Sequence, residues 1–171
     1  MNNFKLCHKN IVGVVGGHQK NTTPVAIELA QKIGTRLAME DFAVASGGED
    51  GIMESIFKGA KSVNGTTIAI TKSNDKKLAN QFSDYVIPTS LDLAFMNVLI
   101  WSSDAIVALD GKFGTMCEIA LALDIGKNIV LIGKHELINT KKIKGGNFLH
   151  LKDGSSKNID KAIKFIKEKI K

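Results

Sequence analysis

The sequence predicts a Rossmann-like α/β fold, a doubly wound parallel sheet with helices on both faces, in a single domain that spans residues 1–171. Short continuous apolar runs alternate along the chain with longer segments in which apolar residues recur at helical spacing. Continuous apolar runs are typical of strands that are buried on both faces of a parallel sheet. The connections between these segments are short, which favours strands and helices that alternate around one sheet.

The first half of the chain repeats a unit of strand, glycine-bearing turn and helix. Thr23 is predicted to be the N-cap of the first helix, because Pro24 suits the first helical position. Residues 71–83 are polar and predict a loop or a frayed helix. The predicted strands of this half are 11–15, 42–45 and 66–70, and the predicted helices are 24–38 and 52–63.

The second half continues the alternation. Thr89 or Ser90 is predicted to cap a helix that ends near Ser102, and Thr115 is predicted to cap the helix after it. The predicted strands here are 85–87, 105–109, 128–132 and 148–151, and the other predicted helices are 115–125 and 158–171. The last helix has one apolar face and one lysine-rich face, so we expect it to pack on the domain. A helix for a membrane surface or an acidic partner is the alternative interpretation.

The net charge of +6 is distributed unevenly. Residues 134–171 contain eleven lysines and four acidic residues, a net charge of +7, so the rest of the chain carries −1. The positive charge therefore belongs to the C-terminal part and not to the glycine turns. Because that part offers only two phenylalanines for base stacking, a nucleic-acid partner is not expected.

The composition also indicates where the protein is located and whether it binds a metal. No apolar run reaches the length of about 18 residues that spans a bilayer, and no signal-peptide core is present, so we expect a cytoplasmic protein without a membrane partner. Cys7 and Cys117 form no CxxC pair. The four histidines show no ligand spacing, and no metal site is predicted.

Three glycine-rich turns, at 16–17, 47–51 and 111–114, each follow a predicted strand. The carboxyl ends of parallel strands meet at one rim of the sheet, which is where ligands bind in such folds. Turns of this kind and helix N-termini present backbone N–H groups to anions. The candidate phosphate-binding residues are therefore Gly16, Gly17, His18, Gly47, Gly48, Gly51, Gly111, Lys112, Gly114 and Thr115.

Three side chains near these turns have two interpretations each. Glu118, one turn into a helix, either stabilises a cation-like sugar centre and activates water, or merely favours the helix dipole. Lys112 either contacts a phosphate or faces solvent. His18 either donates to a phosphate or carries a proton, or it has no role. Asp110 would oppose an anion at its turn unless Lys112 neutralises it. If Glu49 and Asp50 both face the crevice, phosphate binding there is weakened, or a metal or an amine is preferred instead.

Two ordered segments resemble a known family over residues 10–133. The segment Ser46–Glu54 is similar to a GGGxxGxM motif, and Asp110–Glu118 is similar to a PGGxGTxxE motif. They are found in the lysine decarboxylase-like group, which includes the Lonely Guy phosphoribohydrolases and the molybdenum cofactor carrier proteins. The chain resembles the carrier-like branch most. The resemblance adds Met53 to the candidate binding residues and implies a homodimer or a higher homo-oligomer.

The chain departs from the family pattern at several positions. Asp110 replaces a proline, Lys112 and Glu49 each replace a glycine, and residues 93–99 lack the arginine of the phosphoribohydrolases. The resemblance therefore implies an intact binding scaffold with an incomplete catalytic set, and no true lysine decarboxylation. Three hypotheses follow: a carrier of a nucleotide or a phosphorylated pterin-type cofactor such as the molybdenum cofactor, a nucleoside 5′-monophosphate phosphoribohydrolase, and a non-catalytic nucleotide-sensing module.

The segment from Leu91 to Trp101 is apolar on nearly every side. A helix of this kind needs cover on all sides, and one sheet face covers only part of it. We expect it at or near a homodimer contact, and we interpret Phe95, Met96 and Trp101 as core or interface residues. A β-branched residue at Gly114 is expected to abolish ligand binding, because it would crowd the cradle or strain the turn.

Overall fold

Seven parallel strands form one sheet in the computed structural model, which describes residues 8–135, 138–139, 143 and 147–170. The strands are β1 (Ile11–Gly16), β2 (Ala43–Ser46), β3 (Thr67–Thr71), β4 (Tyr85–Pro88), β5 (Ala105–Leu109), β6 (Asn128–Ile132) and β7 (Phe148–Leu151). The helices are α1 (Pro24–Met39), α2 (Ile52–Lys61), α3 (Phe95–Ser102), α4 (Phe113–Asp124) and α5 (Ser156–Lys169). Cys7 and Lys171 lie outside the described residues.

The strand order β4-β3-β2-β1-β5-β6-β7 makes the sheet doubly wound. The chain moves from β1 outward to β4, returns to place β5 beside β1, and then moves outward to β7. Gly16 at the end of β1 pairs with Leu109 at the end of β5. The direction of winding therefore reverses between these two strands, and ligands of such sheets bind at this point. The predicted Rossmann-like fold is confirmed.

Successive residues of β1 point to opposite faces of the sheet and join two separate cores. Val12 and Val14 pack with apolar residues of α1, α2 and α5. Val15 packs with Leu99, Ile100 and Ile119 from α3 and α4. Within the described residues, the first face is thus covered by three helices and the second by two.

Helix α3 begins at Phe95, four residues later than Leu91, where a helix capped by Ser90 would begin. Ser90 and Asp92 have φ values of +55° and +47°, in the left-handed region, so a right-handed helix cannot run through them. Residues Asp92–Ala94 form a 3₁₀ turn instead. Thr89 does not cap the helix, because its hydroxyl donates to the Thr71 carbonyl and accepts from the Leu91 N–H.

Helix α4 begins at Phe113, two residues before the predicted start. Lys112 occupies the N-cap position and makes no side-chain capping bond. Thr115 is a buried residue of the first turn, so its predicted capping role is wrong. The predicted Thr23 cap of α1 is confirmed by its side chain, which accepts from the Ala26 N–H at 3.2 Å.

Helix α5 packs on the sheet through Ile159, Ile163 and Ile166, as its apolar spacing predicts. Two ion pairs connect its polar side to α1. Asp160 contacts Arg36 at 2.7 Å, and Lys167 contacts Glu40, the C-cap residue of α1, at 2.5 Å. Its remaining lysines face solvent.

None of the described helices has both the length and the apolar composition that crossing a bilayer requires.

Candidate ligand-binding site

The loop after β1 and the turn after β2 pack directly against each other. Gly51, the N-cap of α2, has φ +68°, and the Ile52 N–H donates to the Gly17 carbonyl at 3.0 Å. A Cβ atom on Gly51 would lie 2.6 Å from that carbonyl oxygen and 2.5 Å from the Gln19 nitrogen. Only glycine fits this contact, which fixes the position of the first loop.

The turn after β5 is held by Asp110, which has φ +50°. Its carboxylate accepts from the Gly111 N–H at 2.7 Å and from the Thr22 hydroxyl at 3.1 Å. These two donors satisfy the charge inside the protein, so Asp110 opposes a bound anion less than the sequence suggested. The Gly111 N–H is correspondingly not free for a ligand.

The three turns enclose a crevice of about 150 Å³ at the reversal point of the sheet. Eight of the predicted site residues line it: Gly16, Gly17, His18, Met53, Lys112, Gly114, Thr115 and Glu118. The other four, Gly47, Gly48, Gly51 and Gly111, do not. Gly47 lies behind Met53, Gly48 lies against Ala69, and Gly111 lies against Thr115. These glycines shape the walls of the crevice.

The N-terminus of α4 opens into the crevice at Lys112, Gly114 and Thr115. The first N–H groups of a helix have no acceptor within it, and here no side chain caps them. Together with the helix dipole, they form a binding point for an anion. Gly114 has no heavy atom within 4 Å of an added Cβ and no left-handed φ, so the predicted strain at this glycine is wrong. A larger side chain there would occupy the crevice without distorting the turn.

Glu118 lies in the same crevice, one turn further along α4. Its side chain is almost fully buried, with 8% of the residue surface exposed. It forms no hydrogen bond or ion pair within the part of the chain that the structure describes. Burial without a compensating charge raises the pKa of the Glu118 carboxyl to about 8, from an ordinary 4.5.

A chain of charges crosses the mouth of the crevice. Lys72 contacts Glu49 at 2.9 Å, and the His18 ring contacts Glu49 at 3.3 Å and Asp50 at 2.8 Å. The hydrogen bond to Glu49 raises the pKa of Lys72, which is therefore a stable cation. Glu49 is thus paired with a lysine, which reduces its repulsion of an anion, and Asp50 is held by its contact with the His18 ring. A wider depression of about 460 Å³ lies on the other side of His18.

Six residues that line the crevice were not predicted as ligand contacts: Asn21, Glu49, Lys72, Leu93, Phe95 and Met96. Lys72 directly follows β3, so the same rule on strand ends that selected the glycine turns would have selected it. Phe95 and Met96 form an apolar wall, although their helical spacing suggested a core or interface position. Trp101 lies at the far end of α3, where it is exposed and Lys127 stands 5.7 Å from its ring centre.

A model of the SLOG cluster4 family matches residues 9–158. The chain belongs to the SLOG cluster4 family. An uncharacterised protein of Archaeoglobus fulgidus is 36% identical to this chain over 118 residues, which cover 69% of this chain and 76% of that protein.

Two solved structures resemble this SLOG cluster4 protein over nearly its whole length. The molybdenum cofactor binding protein from Rippkaea orientalis has a TM-score of 0.84 and 30% identity, covering 96% of this chain and 99% of that one. The molybdenum cofactor carrier protein from Chlamydomonas reinhardtii has a TM-score of 0.83 and 29% identity, covering 94% and 100%. These similarities confirm the resemblance to the carrier-like branch.

Proposed function

We propose that the protein binds a phosphorylated pterin-type cofactor or a nucleotide in the crevice and carries it without chemical change. The convergence of three glycine turns and the α4 N-terminus on one crevice is the main support, because this arrangement suits a phosphate. The apolar wall of Phe95, Met96 and Met53 suits the flat face of a heterocycle. The likeness to the two molybdenum cofactor proteins favours a pterin-type ligand over other phosphorylated molecules.

The distribution of positive charge supports binding rather than catalysis. Arg36 is the only arginine of the chain, and it pairs with Asp160 between α1 and α5, on the face of the sheet away from α3 and α4. No arginine of this chain is therefore placed to balance a substrate in the crevice. Lys72 and Lys112 remain as the lysines that line it, and Lys72 is engaged by Glu49. This set suits holding a phosphate more than stabilising a reaction at a sugar.

A thermal-shift screen tests the proposed binding. Phosphate, AMP, GMP, ribose 5-phosphate and molybdopterin-type compounds are compared with their unphosphorylated counterparts. A ligand at a hundred times its Kd stabilises the folded state by about 2.7 kcal/mol, which for a chain of this size raises the melting temperature by roughly 5–10 °C. Gly114→Val should retain the fold and lose the shift. The proposal is wrong if no phosphorylated compound shifts the melting temperature at millimolar concentration.

The second candidate function is hydrolysis of a nucleoside 5′-monophosphate, and the buried Glu118 in the crevice favours it. Such a reaction needs the ionised carboxylate to stabilise a cation-like sugar centre. With a pKa of about 8, Glu118 is protonated in roughly nine of ten molecules at pH 7. The ionised fraction grows only as the pH rises through 8.

We therefore expect little or no release of adenine from AMP at pH 7, and any residual rate should increase between pH 7 and pH 9. Chromatography of the released base measures this directly. The control is Glu118→Gln, which should remove any residual activity at every pH. A turnover near ten per second at pH 7, typical of enzymes, would contradict the carrier proposal.

A further inference from the structure

Glu118 is surrounded by groups that offer it no counter-charge. The other ionisable residues that line the same crevice are His18, Glu49, Lys72 and Lys112. Lys72 is bonded to Glu49, and the His18 ring contacts Glu49 and Asp50, so both basic side chains are engaged at the mouth. Lys112 forms no ion pair with Glu118 in the described structure. The α3 wall contributes only apolar side chains next to it, Phe95 and Met96.

Glu118 lies further along α4 than Gly114 and Thr115, where a phosphate would bind, so it would contact a different part of the ligand. Glu118 is four residues after Gly114, which is a rise of about 6 Å along α4. A phosphate held at Gly114 and Thr115 would place the next part of the ligand against Glu118 and the apolar wall. Burying a carboxylate there without a partner costs a large desolvation free energy, and burying a neutral carboxyl costs much less.

We propose that Glu118 receives the ligand as a neutral carboxylic acid that donates its O–H to a hydrogen-bond acceptor on the part of the molecule next to the phosphate. This inference rests on the proposed function and extends it to ligand selection. The crevice then accepts a carbonyl or ring acceptor, as in a pterin or purine, at this point. It rejects a cationic group, which a carboxylate would have preferred.

Infrared difference spectroscopy tests the protonation state without any ligand. At pH 6.5 the wild-type protein should show the carbonyl stretch of a protonated carboxyl that is absent from Glu118→Gln, and this band should disappear as the pH rises through 8. Glu54→Gln, which changes a half-buried carboxyl outside the crevice, should retain it. A spectrum without this band at pH 6.5 would overturn the inference.

The melting temperature gives a second ligand-free measurement. The pKa of Glu118 is higher in the folded state than its ordinary 4.5, so between these values the folded state binds more protons than the unfolded state. The contribution of Glu118 to stability is therefore present at low pH and lost as the pH rises towards 8. The melting temperature of Glu118→Gln relative to wild type should increase from pH 5.5 to pH 8.5. No change, or a decrease, would contradict a neutral Glu118.

Calorimetric titration with GMP tests the donor role. Glutamine keeps an N–H donor at the position, so Glu118→Gln should bind GMP within about threefold of wild type at pH 7, whereas Glu118→Ala should lose about tenfold. At pH 9 the neutral fraction of Glu118 falls about tenfold, and wild-type affinity should fall accordingly, while that of Glu118→Gln should not. Comparing the two proteins at each pH cancels the titration of GMP itself.

The outcomes separate this inference from the proposed function. If GMP binds but Glu118→Gln is as weak as Glu118→Ala, or wild-type affinity increases above pH 8, the donor role is wrong and the binding site stands. If GMP and the other phosphorylated probes all fail to bind, the proposed function is wrong and the donor role falls with it.

Discussion

Replacing Gly51 by alanine is expected to lower the melting temperature by roughly 6–12 °C and to abolish ligand binding. The residue has φ +68°, which costs a side-chain-bearing residue about 1–3 kcal/mol. The new Cβ would also overlap the Gly17 carbonyl and the Gln19 nitrogen. These are backbone atoms that cannot rotate away, so the loop after β1 must move. A total loss near 3 kcal/mol corresponds to the stated decrease for a chain of this size.

Gly114→Ala is the matched control, since it adds the same methyl group to another glycine of the site. No heavy atom lies within 4 Å of the added Cβ, and the residue is in the first turn of α4. Alanine is a better helix former than glycine, so the melting temperature should stay the same or rise by about 2 °C. Differential scanning calorimetry measures the melting temperatures of both variants and the wild type. Equal melting temperatures for Gly51→Ala and wild type would contradict the packing described between the two turns.

The sheet and the place of the candidate site could be predicted from the sequence because both depend on local patterns. Continuous apolar runs marked the strands of the sheet, and three of them ended in glycine turns. Because parallel strands present their carboxyl ends at one rim, the same pattern predicts that Gly16, Gly114 and Glu118 lie together.

The parts that could not be predicted depend on contacts between distant residues or on unusual backbone angles. Thr22 and Asp110 are 88 positions apart, so no local pattern indicated that their hydrogen bond would satisfy the carboxylate. The pairing of Lys72 with Glu49 depends on the order of β2 and β3 in the sheet. The late start of α3 depends on the left-handed φ values of Ser90 and Asp92. Serine and aspartate adopt such φ values only in particular contexts.

The second large effect concerns assembly through the face formed by the outer sides of α3 and α4, here called the α3–α4 face. Three large apolar side chains on or next to it are strongly exposed: Leu93 at 67%, Trp101 at 62% and Phe113 at 68%. An exposed apolar surface of this kind usually marks a contact with another protein. Only α3 and α4 cover this side of the sheet in the described structure. We propose that a second copy of the chain covers the α3–α4 face in a two-fold dimer.

Trp101→Glu tests the dimer better than a charged residue at Phe95 would. Phe95 is half-buried, packs against the second core and lines the crevice, so a charge there would damage the monomer and the site together. Trp101 is exposed at the end of α3, away from the crevice. A tryptophan that is buried in an interface typically contributes about 2 kcal/mol, so its loss should weaken the dimer roughly thirtyfold.

Light scattering coupled to size exclusion should give twice the chain mass of 18.5 kDa for the wild type at micromolar concentration, and a mass near 18.5 kDa for Trp101→Glu. Val25→Glu is the control, because Val25 is 76% exposed on α1, which packs on the other face of the sheet. An acidic residue in the first turn of α1 is favourable for the helix dipole, so this variant should stay dimeric and folded. A wild-type protein that elutes as one chain across micromolar concentrations would show that the α3–α4 face is not a homodimer contact.

Leu93 lines the crevice and also lies next to the α3–α4 face. A dimer that forms on this face should therefore be stabilised by ligand, and the apparent dimer affinity should increase when GMP is present.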